Sequence, residues 1–142
     1  VVIDTNILVS ALLAGTSLPG YLITLWQDGR FDLLTAAEQF SELTRVTRYE
    51  KIRARVNPAI AGRLINELRD LAIVVTGFAP VTICPDPEDN YLLAIAVAGA
   101  ADFLITGDKR DLLGLKRYEG TKIVTVREFL VLHQSLPDEP IA

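Results

Sequence analysis

Four carboxylates in this chain stand where a charge is costly. Asp4 ends the apolar run of residues 1–3, and Asp108 follows another apolar run, 103–106. Glu42 is bracketed by Phe40 and Leu43, and Asp89 directly precedes a stretch that is almost wholly apolar. Charges in such dry settings need compensation. Taken singly, each has an ordinary explanation: Asp4 as a turn residue, Glu42 as an arginine partner, Asp89 as a helix cap, Asp108 as part of a Thr-Gly-Asp turn. As a set they point further, because carboxylates gathered in one pocket repel each other and raise each other's pKa unless a cation sits among them. Oxygen-only donors without His or Cys select Mg²⁺ or Mn²⁺. Thr5, Asn6, Thr35 and Thr106 add hydroxyl and amide groups suited to orienting water or a phosphate oxygen. Divalent ions held this way hydrolyse phosphodiesters by lowering the pKa of the attacking water and stabilising the leaving oxygen.

The elements that must bring these acids together alternate along the chain. Apolar, β-branched runs predict strands over 1–3, 31–34, 72–76, 103–106 and 122–126. Helices are expected over 7–13, from Ser17 to just before Gly29, from a Thr35–Glu38 capping box onward, from Asn57-Pro58, over 88–98, and from a Thr125–Glu128 capping box. The apolar stripe of the Asn57-Pro58 helix reads as Ile60, Leu64, Ile65, Leu68 and Leu71. Asp86 is preferred as the cap of the 88–98 helix. Strands separated by helical crossovers imply a three-layer α/β/α sandwich with a central parallel sheet. Ligands in such folds sit beyond the carboxyl ends of the strands, where Asp4 and Asp108 would project.

At 142 residues and 50% hydrophobic composition, one domain over 1–136 with a short tail at 137–142 is expected. The lone Cys84 excludes an internal disulfide and fits a reducing, cytoplasmic setting. The most apolar run, 92–101, falls short of the roughly 20 residues of a membrane span. The chain opens in a strand without a Met, so residues upstream of Val1 are expected. Net charge is −4, an unfavourable balance for a phosphate-bearing partner. Yet Arg45, Arg48, Lys51, Arg53, Arg55 and Arg63 face only Glu50 between them, a local +5 that leaves −9 elsewhere. This basic stretch is either a solvated face or a grip on a phosphate backbone, the acids being inverted in sign by bound metal.

The ordered set of motifs resembles the PIN-domain family, close to the VapC-like toxins of toxin–antitoxin systems. The likeness runs from "VVIDTNILVSALL" through "LLTAAEQFSELTRV" and "DPEDNYLLAIAVAGAADFLITGDKRDLL" to "KIVTVREFL". It implies strand order 3-2-1-4-5 and a Mg²⁺- or Mn²⁺-dependent ribonuclease. Asp4, Glu42, Asp89 and Asp108 match the family's metal-binding acids, Asp111 an accessory acid and Asp86 a frequent neighbour. It further implies an RNA substrate, a homodimer and a partner antitoxin; by the charge distribution, Arg45, Arg48, Lys51, Arg53 and Arg55 are the residues expected to hold the RNA backbone. The alternative is a catalytically degenerate PIN-fold module that binds RNA or a protein partner.

Other phosphate chemistries fit less well. A receiver-like phosphoacceptor needs an acidic pair after the first strand, and a haloacid-dehalogenase-type phosphatase needs an Asp where Asn6 stands. Dinucleotide binding lacks its G-x-G-x-x-G turn. Trp26, Tyr21 and His133 read as packing residues, and Cys84 as a small buried hydrophobe.

Overall fold

The computed structural model describes residues 1–107 and 110–133. Its strands are two to four residues long, and their inner positions are apolar on both faces, so the sheet must be covered twice. In chain order the elements are β1 (Val2–Ile3), α1 (Thr5–Leu13), α2 (Leu18–Gln27), β2 (Leu34–Thr35) and α3 (Ala37–Thr47). There follow α4 (Glu50–Arg53), α5 (Pro58–Leu71), β3 (Ile73–Val74), α6 (Pro87–Ala98), β4 (Phe103–Ile105) and α7 (Arg110–Leu115). The last are β5 (Arg117–Tyr118), β6 (Thr121–Val124) and α8 (Val126–Leu132).

Strand register divides the core into two layers. Val2 pairs with Leu34 on one side and Leu104 on the other, and Leu104 pairs with Ile123. This row packs with α6, through Leu92, Leu93, Ile95 and Ala96, and with Leu112 of α7. The next row, Ile3–Ile105–Val124, points the opposite way because strand side chains alternate. It packs with Leu8, Leu22, Leu43, Leu68 and Phe129 of α1, α2, α3, α5 and α8. A mostly parallel sheet between two helical layers results, the α/β/α sandwich that the alternating pattern implies.

The strand order among the described residues is β3-β2-β1-β4-β6-β5. The expected order 3-2-1-4-5 therefore holds, with β6 as its fifth strand and one addition: β5, antiparallel to β6 across the turn at Glu119-Gly120. Sequence reading missed β5 because Arg117 and Tyr118 lack an apolar run. The other strands are shorter than expected, and β2 is shifted to Leu34–Thr35.

Helix ends differ in instructive ways. Ser17 caps α2 and Asn57 caps α5, each through its side chain, and Thr125 with Glu128 forms the expected reciprocal box on α8. The Thr35–Glu38 box does not form: Thr35 belongs to β2, and Ala36 occupies the cap position of α3 without a side-chain bond. α1 begins at Thr5, so Thr5 and Asn6 are helical. On α5 the buried face is Ala61, Leu64 and Leu68, whereas Ile60 and Leu71 are exposed, so the apolar stripe was drawn too wide. Trp26 and Cys84 are buried as expected. Among the described residues no single helix is long and apolar enough to cross a membrane. α1 and α2 pass only as a pair, bent by 103°, and they carry core residues. The expected tail at 137–142 lies outside the described residues.

Candidate active site

Asp4 is fixed by three elements at once. It leaves β1, and its backbone N–H continues the ladder to the Ile105 carbonyl at 2.9 Å. Its Oδ1 accepts from the Asn6 amide at 3.1 Å, capping α1. Its Oδ2 accepts from the Thr106 hydroxyl at 2.8 Å, just beyond β4. The residue is only 2% exposed, so its orientation is set by these bonds.

Glu42 approaches from α3. Burial pushes its carboxyl above the ordinary range; a bond from the Thr5 hydroxyl opposes this, repulsion from Glu88 and Asp4 adds to it, and Arg45 opposes it. Thr5 in turn accepts from Gln39 Nε2 at 3.3 Å. Gln39 is a buried hub that sequence reading missed. Its Nε2 also donates to the Ile3 carbonyl at 2.7 Å, and its Oε1 accepts from Thr35 at 2.6 Å. The detectable signal was an amide in the first turn of a helix directly after a strand. Thr5 and Thr106, expected to orient water or phosphate, thus direct their hydroxyl protons to carboxylates. Asn6 contributes its backbone amide to Asp4, and its side chain is exposed.

Asp89 lies in the first turn of α6 and is 3% exposed. Asp86 is the cap of that helix, its Oδ1 accepting from the Glu88 amide at 2.9 Å. Burial raises the Cys84 thiol pKa, and the carboxylates of Asp89, Asp111 and Asp86 push it the same way. These three acids therefore share a neighbourhood around Cys84, as Glu42 shares one with Asp4 and Glu88. Asp111 is exposed in the first turn of α7. Asp108 lies outside the described residues. Among the described residues, no group of three or more His, Cys, Asp or Glu side chains stands close enough to hold a metal ion. Of the expected convergence, the repulsion between Asp4 and Glu42 is seen among the described residues.

The basic stretch is divided by α3. Arg45 lines a cleft of about 370 Å³ with Glu38, Ser41, Glu42, Glu88 and Tyr91. Arg48 and Arg53 line a separate groove of about 320 Å³ between α3 and α5, with Thr44 and Thr47. Lys51 and Arg55 are exposed on and just after α4. A larger cleft, about 590 Å³ between α1, α2 and α5, contains none of the candidate acids. Volume alone is therefore a poor guide to the chemistry here.

Buried acids at the carboxyl edge of a mostly parallel sheet with helices on both faces define the class: an α/β protein whose candidate site lies beyond the strand ends. The sequence profile described as PIN domain matches residues 1–110, and the chain belongs to that family. PIN domains are in general nucleases that bind RNA and typically use divalent metals. An uncharacterized protein of Methanocaldococcus jannaschii is 26% identical over 117 residues, covering 82% of this chain and 74% of the relative. No solved structure matches the chain with significance.

Proposed function

We propose that the protein is a Mg²⁺- or Mn²⁺-dependent endoribonuclease that hydrolyses RNA phosphodiester bonds and serves as the toxin of a toxin–antitoxin pair. The observation that carries the nuclease reading is the construction around Asp4 in a PIN-family chain. A buried carboxylate is held by Thr106 and the Asn6 amide, with Glu42 close enough to feel its charge. The donor set fits the ion: oxygen ligands, no thiolate or imidazole, and like charges that a hard cation would relieve. Asp4, Glu42, Asp89 and Asp108 would hold it, with Asp86 and Asp111 as acidic neighbours. When bound, the ion supplies an activated water and stabilises the departing oxygen.

The chain's own residues supply the rest. Thr106 and Thr5 fix the rotamers of Asp4 and Glu42, and Gln39 ties Thr5 to the end of β1. Arg45 meets phosphate charge in the cleft, while Arg48, Lys51, Arg53 and Arg55 hold the backbone beyond it. The toxin role, the antitoxin partner and a homodimeric state follow from the likeness to VapC-like proteins. Induced expression should arrest growth for the wild type and not for Asp4→Asn.

The second reading is a PIN-fold module that binds RNA or protein without cutting. One assay separates the two. Single-stranded RNA is incubated with wild type, Asp4→Asn and Asp108→Asn, with Mg²⁺ or Mn²⁺ and with chelator. Cleavage by wild type alone, abolished by chelator, supports the enzyme. RNA bound and never cut under either ion establishes the binding module.

A further inference from the structure

Tyr91 separates two hollows of different character. On one side lies the cleft with Glu42, Glu88 and Arg45; on the other lies a pocket of about 380 Å³ lined by Phe78, Pro80, Val81, Thr82 and Ala94. Pro87 and Tyr91 belong to both walls, so the two hollows are adjacent. Tyr91 is a fixed partition. Its hydroxyl donates to Glu38 at 3.1 Å and accepts from the Gln39 amide at 3.2 Å. Phe78 stands against it edge to face, with ring centroids 5.6 Å apart, on the segment that follows the left-handed turn at Gly77 (φ +66°). Both rings are half-buried and packed against the core layer that contains α6.

A ligand fitting both hollows must join a flat apolar ring to a charged group. A nucleotide has this form: its base suits an aromatic and proline-lined pocket, and its phosphate would meet Arg45 in a cleft whose Glu38, Glu42 and Glu88 carboxylates need the proposed metal ion to offset them. We propose that the Phe78–Tyr91 pocket receives one base of single-stranded RNA beside the bond to be cut, an inference that rests on the nuclease reading above. The Asn90 amide is committed on both sides, accepting from the Cys84 N–H and donating to the Cys84 carbonyl, each at 2.8 Å. With Asn90 held in place and Thr82 beside it among mostly apolar lining, recognition is chiefly by stacking. Stacking of this kind tolerates any base, favours the larger ring area of purines, and needs a base already out of a duplex.

The test uses a single-stranded oligoribonucleotide carrying 2-aminopurine, titrated into the full chain with Ca²⁺, which occupies oxygen-donor sites, and read while a gel shows the oligomer intact. Wild type should quench the fluorophore on binding and prefer purine over pyrimidine oligomers, and should not bind duplex. Phe78→Ala should abolish quenching and weaken Kd about tenfold, whereas Phe78→Tyr keeps both. If Phe78→Ala melts early, Thr82→Phe, at an exposed position, fills the pocket instead and should weaken binding similarly. No quenching by wild type, or quenching and Kd unchanged in folded Phe78→Ala and Thr82→Phe, overturns the pocket. Wild type that quenches but cuts no RNA under Mg²⁺ or Mn²⁺ overturns the nuclease reading alone.

Discussion

At the scale of the residue, Gln39 does more for the site than its type suggests. Replacing it with Ala leaves the buried Ile3 carbonyl and the Thr35 hydroxyl without their partner, an unsatisfied-group cost of about 1–3 kcal/mol. Gln39→Glu fares no better, because a carboxylate cannot donate to a carbonyl. Urea unfolding of both variants should show midpoints well below wild type; an unchanged midpoint for Gln39→Ala would mean the hub contributes nothing. Glu42 gives a prediction of opposite sign. Its folded pKa is raised above the ordinary 4.5, so between that value and the raised one the folded state holds the extra proton. Stability therefore falls as pH rises through that window and stays lower above it. Glu42→Gln should unfold at higher urea than wild type at pH 7, with the advantage shrinking below about pH 4.5. Equal midpoints at pH 7 would show that the charge costs the fold nothing. Asp4, Glu42 and Asp89 were legible in the sequence because a charge beside apolar runs is conspicuous. Gln39 was not, because an uncharged amide in a helix looks like surface until its neighbours are known.

At the scale of the element, caps and close approaches decide which acids are structural. Asp86 closes the first turn of α6 through the Glu88 amide, so Asp86→Ser, which keeps a capping oxygen, should preserve both the melting temperature and RNA cleavage. Loss of cleavage in a variant that melts normally would make Asp86 part of the chemistry. Gly20 of α2 lies hard against the backbone of the α1–α2 connection. A Cβ there would lie 2.2 Å from the Gly15 carbonyl oxygen, backbone that cannot swing aside as a side chain does. Gly20→Ala should cost about 1–3 kcal/mol by forcing the α1–α2 connection away, readable as a lowered thermal midpoint. Elements with strong local signals were legible: the Ser17, Asn57 and Thr125 caps all hold. The Thr35–Glu38 box failed because Thr35 is claimed by the sheet, where its hydroxyl finds Gln39 instead. Local capping grammar cannot see a strand pairing made with distant residues.

At the scale of the molecule, the uneven distribution of charge becomes a spatial arrangement. Acids collect at the sheet edge, and arginines line the α3 flank in two hollows. The double variant Arg48→Ala/Arg53→Ala should weaken RNA binding at low salt and flatten the dependence of log Kd on log salt by about 1–2 units, at roughly 0.7 per single-strand contact. An unaltered slope would return that groove to ordinary solvated surface. The layer architecture and the strand order around β1 were readable from alternation and from the family likeness. The antiparallel β5 was not, because a two-residue edge strand pairing through Arg117 and Tyr118 carries no hydrophobic signature.

The bond from Thr106 to Asp4 joins residues 102 positions apart, and β1 lies between β2 and β4 in the sheet. The first strand made must therefore wait for one of the last before its carboxylate is anchored. A growing polypeptide still attached to the ribosome lacks this anchor until Thr106 has been translated. The order of synthesis thus delays completion of the Asp4 site until β4 has joined the sheet.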